Sequence, residues 1–277
     1  MIIDAHHHVW TADYAWLADP SLAGIRRDYT VDDLRVHLRA AGVDATVLVE
    51  AGRSDDAETR EFLSLAENTP EIAAVVGWAL LEDPALADTL SAHRAGPGGH
   101  YLAGIRDQVQ GYPDDFLDRP AVRTGLRTVA SAGLVNELVV RPSQLPAMIR
   151  AVDAVPDSAF VLDHLGKPRI AAGPEGLAEW RAATAPLAER EHVIVKLSGL
   201  VAEADWAAWT VEDLRPFVET AVDLFGPDRL MFGSDWPVCE VAATYEQVVD
   251  AIETILGGRP ETVFATTATR TYQLEYE

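Results

Sequence analysis

The sequence predicts a single (β/α)8 barrel of the TIM type spanning residues 1–277. Three observations carry that expectation. Eight short apolar runs alternate with eight segments of helical periodicity. The runs are almost continuously apolar, as strands covered on both faces must be, and each connection is long enough for a crossover helix. Eight such units in one chain of this length fit a closed barrel better than an open doubly wound sheet.

The expected strands are Ile2–His6, Ala45–Glu50, Ile72–Leu81, Leu102–Val109, Leu134–Val140, Ala159–Leu165, Val193–Leu200 and Leu230–Ser234. The expected helices are Val31–Ala41, Asp56–Asn68, Pro84–His93, Ala121–Ala132, Gln144–Ala154, Gly176–Glu189, Val211–Phe225 and Tyr245–Leu256. Gly42, Gly133 and Gly226 stand where left-handed C-terminal caps belong, and Thr30 and Thr210 each precede an acidic first turn.

Composition narrows function before any motif does. Against 22 Lys and Arg stand 44 Asp and Glu, a formal net charge of -22 that repels phosphate backbones and anionic lipid headgroups. No nucleic-acid or membrane partner is expected, and a small molecule is. The single cysteine, Cys239, cannot form an internal disulfide, and Met1-Ile2-Ile3-Asp4 offers no basic stretch ahead of a long apolar one, so a cytoplasmic location is expected. Composition leaves the oligomeric state open.

A barrel carries its chemistry at the C-terminal ends of its strands, so polar residues there become the candidates. Strand one ends Asp4-Ala5-His6-His7-His8-Val9-Trp10. Residues two apart share a face, so His6 and His8 can converge on one ion or one substrate oxygen while His7 faces away. Strand eight ends Gly233-Ser234-Asp235-Trp236-Pro237, which sets Asp235 at the rim beside strand one once the barrel closes. Strand six supplies His164, with Asp163 and Lys167 expected as a buried ion pair. Strand four supplies Arg106, whose planar donor fork can bind a carboxylate or polarise a carbonyl, or pair with Asp107 or Glu50. Trp10, Tyr14 and Trp16 either floor a pocket or pack in the core. No nucleophile elbow, phosphate loop, dinucleotide fingerprint or cysteine cluster is present, and Cys239, near Asp235, reads as inert.

Five ordered blocks then resemble the amidohydrolase superfamily, in its sugar-acid lactonase branch of L-fuconolactonase-like and L-rhamnonolactonase-like enzymes. They are His6-x-His8, Gly104-Ile105-Arg106, Val161 to Pro168 (VLDHLGKP), Lys196-Leu197-Ser198-Gly199-Leu200, and Phe225 to Cys239 (FGPDRLMFGSDWPVC). The resemblance runs from Ile2 to about Leu274. It implies a barrel that hydrolyses the ester of a sugar-derived lactone, with Asp235 activating water, His164 and Arg106 catalytic beside it, and Arg106, Trp10 and Gln108 binding substrate. It also implies one divalent ion, zinc or manganese, on His6, His8, His164 and Asp235, or else polarisation of the carbonyl by the same histidines and Arg106 without metal. The chain departs from the branch in Arg106-Asp107-Gln108, where His commonly follows the arginine, and in Glu50, where Gln is common. Both positions lie at the rim, so the particular sugar does not carry over. A lactone isomerase, a decarboxylase and a non-catalytic sugar-acid-binding barrel are the competing readings.

Overall fold

A computed structural model describes residues 1–274. Eight parallel strands run in the order β1 to β8: β1 (Ile3–His7), β2 (Ala45–Val49), β3 (Ile72–Gly77), β4 (Leu102–Asp107), β5 (Val135–Leu138), β6 (Phe160–Leu162), β7 (Val193–Leu197) and β8 (Leu230–Phe232). Crossover helices α1 (Val31–Ala41), α2 (Asp56–Glu67), α3 (Leu86–Ala95), α4 (Pro120–Ser131), α5 (Leu145–Ala154), α6 (Gly173–Ala188), α7 (Val211–Phe225) and α8 (Tyr245–Leu256) each follow one strand. The expected architecture is present, and α1, α7 and α8 have the expected bounds.

Several strands end sooner than expected. β3 stops at Gly77 rather than Leu81 and β7 at Leu197 rather than Leu200, because the apolar residues beyond them are buried in rim loops instead of a ladder; Ala79 and Leu81 are examples. The Asp33 carboxylate accepts from the Thr30 N–H and hydroxyl, and Asp213 does the same for Thr210, so both helix starts are capped as expected. Gly42 adopts the left-handed cap at φ 66° and ψ 39°. Gly226 departs from that expectation, at φ 72° and ψ 157°, since the chain must extend there toward β8.

Alternation along the strands sorts the core into two sets. Val47 and Val49 of β2 pack inside the barrel with Val76, Val161 and Met231, while Leu48 faces the helices. A π-helical turn (Thr262–Thr266) and a last helix, α9 (Thr267–Tyr272), were not expected from the sequence. Ala265, Ala268 and Tyr272 pack with the interior residues of β1, β2, β3 and β5, and so floor the barrel at the end opposite the rim.

The β8 to β1 seam is built differently from the seven laddered joints. His8 N–H donates to the Trp236 carbonyl at 2.7 Å and Asp235 N–H to the His6 carbonyl at 2.8 Å. Below them the buried Asp4 carboxylate accepts the N–H of Ser234 at 2.8 Å, its hydroxyl at 2.6 Å and the Tyr245 hydroxyl at 3.1 Å. A side chain thus takes up a backbone donor that a ladder would otherwise satisfy.

Candidate active site

The register of β1 breaks between Asp4 and His7. Ile3 and Ala5 pack in the interior below the break, and His6 and His8 take the interior above it, as a bulge beside a functional site allows. His7 is buried with neither ring nitrogen partnered, and burial pulls its pKa down to about 3. It is a neutral packing residue, in line with its expected orientation away from the site.

Two other rim residues sit in backbone conformations that L-residues rarely adopt. β6 ends at Leu162, and His164 then takes φ 53°, with Leu165 and Lys167 also left-handed. Trp180 pins this turn by donating its indole N–H to the Leu165 carbonyl at 2.6 Å. Asp235 follows β8 at φ 57°. Left-handed backbone at non-glycine residues is strained, and here the surrounding packing holds two such residues face to face across the barrel mouth.

The result is a convergent cluster. The carboxylate oxygen Oδ1 of Asp235 lies 3.5 Å from His8 Nε2, 3.7 Å from His6 Nε2 and 4.0 Å from His164 Nε2. His8 places Nδ1 2.9 Å from the Val49 carbonyl, which only accepts, so Nδ1 carries the proton and Nε2 the lone pair. The Nδ1 of His164 meets the Ser198 hydroxyl at 2.9 Å, which lets its Nε2 face Asp235. One ligand atom each from His6, His8 and Asp235 lie within 4.8 Å of one another, and the same holds for His6, Asp163 and His164. Imidazole nitrogens with one carboxylate, two of them fixed through their other nitrogen, form a donor set that fits zinc-type ions.

Burial dominates the proton equilibria. It lowers His164 to about 4, so that ring is neutral near pH 7. Burial alone raises the Asp235 carboxyl, but His164, protonated in the acid range where this carboxyl titrates, and the Lys167 charge outweigh it and hold the group below its ordinary value, leaving an ionised carboxylate.

Arg106 is 4% exposed and largely engaged by the protein itself. Its Nε donates to Glu50 at 2.6 Å, Nη1 to Asp163 at 2.8 Å and Nη2 to the Glu50 carbonyl at 2.7 Å. Two carboxylates thus neutralise the guanidinium, and what it offers the cavity is a directed N–H rather than a free charge. Gln108 leans on the same Glu50 at 2.5 Å. Asp163 does not pair with Lys167 as expected. The left-handed turn carries Lys167 outward to Glu203 at 3.1 Å and Gln110 at 3.2 Å, while Asp163 meets Arg106 and, at 3.4 Å, Lys196 from β7.

A cavity of about 530 Å3 opens above this cluster, and His8, Arg106, Gln108, His164 and Asp235 all line it. Trp10 and Trp16 form one wall, edge to face at 5.0 Å, and the buried Trp10 indole N–H has no acceptor. Tyr14 is not on that wall; it is buried and donates to Glu58 at 2.7 Å. Sequence reasoning passed over Lys196, Glu137, Ser198 and Gly199. The signal for three of them was the Lys196 to Leu200 block at the end of β7, and for Glu137 a lone acid inside the apolar β5 run.

Residues 3–274 match the amidohydrolase family. The chain is 41% identical over 266 residues to the L-fucono-1,5-lactonase of Burkholderia multivorans, covering 91% of this chain and 87% of that one. The L-fucono-1,5-lactonase of Burkholderia ambifaria is 35% identical over 248 residues, with 88% of this chain and 82% of that one covered. A crystal structure of an amidohydrolase from Burkholderia multivorans with bound zinc superposes at a TM-score of 0.93 and 37% identity, covering 99% of this chain and 100% of that one.

Proposed function

The chain belongs to the amidohydrolase family, and from that premise we propose that it hydrolyses the ester bond of a sugar-acid lactone, an aldonolactone of the L-fucono-1,5-lactone kind. One juxtaposition carries the chemical reading: an ionised Asp235 carboxylate, the Nε2 atoms of His8 and His164 and the Arg106 guanidinium share one cavity roomy enough for a sugar lactone.

The lactone ring lies against the Trp10 and Trp16 wall, with the Gln108 amide available to its oxygens. Asp235 accepts the proton of the attacking water as the oxygen–carbon bond forms at the carbonyl. The developing oxyanion is met by the Arg106 N–H, which sits in a fixed frame of Glu50 and Asp163 and so needs no reorganisation. The ring ester bond then breaks, and Asp235 returns its proton to the leaving alkoxide. The balance is lactone plus water to hydroxy acid, which ionises and releases one proton to solvent. His8, His164 and Asp235, joined by His6, would hold a divalent ion such as zinc or manganese, which when bound supplies Lewis acidity and a more acidic water.

The test is a pH-indicator assay of the purified protein on L-fucono-1,5-lactone and its stereoisomers, with and without chelator. Turnover of one stereochemical series is expected, and Asp235→Asn is expected to lose at least about 100-fold in kcat while keeping its fold. Near-normal turnover by folded Asp235→Asn would remove the base from the mechanism. Silence of the wild-type protein across the lactones would remove the function.

A further inference from the structure

Only two of the 22 basic residues are lysines, and one of them, Lys196, is sealed inside the barrel beneath the site with none of its surface exposed. Its Nζ is seated by Glu137 Oε1 at 2.5 Å and Asp163 Oδ1 at 3.4 Å. Glu137 in turn accepts the Tyr272 hydroxyl from α9 at 2.6 Å. An ordered row of polar groups therefore rises from the barrel floor, and it ends on a histidine of the site: Lys196 Nζ lies 3.0 Å from His6 Nδ1.

That contact decides which nitrogen of His6 carries the proton. An ammonium at 3.0 Å needs a lone pair opposite, so Nδ1 is the acceptor and Nε2 bears the hydrogen. The other side of the ring agrees. His6 Nε2 is 3.2 Å from His8 Nε2, and His8 has its lone pair there because its Nδ1–H is given to Val49. With the proton on Nδ1 instead, Lys196 would face an N–H and two lone pairs would face each other at 3.2 Å. Arg106 Nη1, which has a second N–H beside the one it gives Asp163 at 2.8 Å, lies 3.3 Å from His6 Nε2 and favours that second tautomer, but this contact is longer than those of Lys196 and His8. Asp163 Oδ1, the acceptor that an Nδ1–H would reach at 3.4 Å, accepts no hydrogen bond. The closer contacts all select Nε2–H.

We infer that Lys196 is a positioning residue: its ammonium occupies the Nδ1 lone pair of His6, fixes that ring as an Nε2–H donor to His8, and so opposes the use of His6 as a metal ligand. Nε2 can bind an ion only after its proton has moved to Nδ1 and turned toward Asp163. Lys196 thus sets how readily the cluster passes between a hydrogen-bonded chain and a four-residue ligand set. The inference rests on reading the cluster as able to hold a metal, and not on which lactone the protein hydrolyses.

The experiment uses the full chain, stripped of metal and labelled with 15N at histidine. Long-range proton–nitrogen correlation reports the tautomer of His6, whose signals are identified by their loss in His6→Gln. The wild-type protein is expected to show Nε2–H, and Lys196→Met to show Nδ1–H. Zinc alone, titrated calorimetrically, is expected to bind Lys196→Met roughly 10-fold tighter than wild type. A merely structural lysine would give the opposite, since loosening a ligand cluster weakens its affinity. Because Lys196→Met leaves Glu137 buried without its cation, the pair Lys196→Met with Glu137→Gln removes both charges and serves where the single variant fails to fold. Nδ1–H in the metal-free wild type overturns the inference whether or not either variant folds. An unchanged tautomer, or unchanged or weaker zinc binding, in a folded variant overturns it as well. No readout depends on lactone turnover, so the inference and the proposed function fail separately.

Discussion

Gly199 offers the sharpest test of the site's geometry. It follows β7 at φ 66°, and a Cβ built on it would stand 2.5 Å from His164 Nδ1 and 3.1 Å from the second carboxylate oxygen of Asp235. Ordinary contact begins at 3.4 Å, so the His164 ring in Gly199→Ala must retreat by roughly 1 Å. That movement breaks the 2.9 Å contact between His164 Nδ1 and Ser198 and carries Nε2 away from its 4.0 Å approach to Asp235. Displacement on this scale is expected to lower kcat by about 100-fold. The backbone penalty is separate: a left-handed alanine costs about 1–2 kcal/mol, a few degrees in Tm for a chain of this size. Gly257 supplies the control, since it has φ 71° and nothing within 4 Å of an added Cβ. Gly257→Ala is expected to lose a comparable few degrees of Tm in thermal unfolding and none of its kcat in the indicator assay. Wild-type kcat in Gly199→Ala, alongside the Tm loss of the control, would refute the claim that His164 is held in place by the absence of a side chain at 199.

Two further outcomes are expected. Glu58 is buried beneath the 51–54 loop, and burial pushes its carboxyl from 4.5 up to about 7. The folded state therefore keeps a proton that the unfolded chain has lost between those values, so its stabilising contribution is complete below about pH 4.5 and disappears as pH rises through about 7. The stability of the wild type relative to Glu58→Gln, measured by denaturant unfolding, should fall across that window by roughly 3 kcal/mol; a flat or rising difference would contradict the assignment. Trp206 is 39% exposed at the cavity edge, held by its indole N–H to the Ala202 carbonyl at 2.8 Å. Trp206→Ala should raise KM several-fold with kcat and Tm little changed, as expected for a residue that binds ground and transition states alike, and a kcat loss equal to the loss in kcat/KM would place it nearer the reacting atoms.

The barrel was legible because its strands are apolar on both faces and its helices carry sharp chemical starts such as Thr30 with Asp33 and Thr210 with Asp213. Strand ends were overrun where buried apolar loops, such as the one with Ala79 and Leu81, have the composition of a strand without its ladder. The final helix was missed because Thr-Thr-Ala-Thr-Arg-Thr reads as β-branched polar chain; its fold comes from Ala265, Ala268 and Tyr272 fitting the barrel floor, a tertiary effect that overrides propensity. Within the site, the two-residue spacing of His6 and His8 and the rim positions of His164, Arg106 and Asp235 were readable. The partner of Asp163 was not. Proximity in sequence favoured Lys167, four residues on, but four consecutive left-handed residues, His164 to Lys167, turn that lysine out and leave Asp163 to Arg106 and to Lys196, 33 positions away.

The seam between β8 and β1 has a consequence for how activity arises during folding. Asp4 and Ser234 are 230 residues apart, and the groups that bridge them stand directly beneath His6, His8 and Asp235. Joining chain segments so distant requires one of the longest loop closures in the molecule, and that entropy is overcome only when the intervening strands are already in order. The first seven strand pairings can form with the two halves of the cluster still apart. Turnover is therefore a reporter of ring closure itself: a chain with its helices formed and its last joint open would retain the circular dichroism of the native protein and hydrolyse nothing.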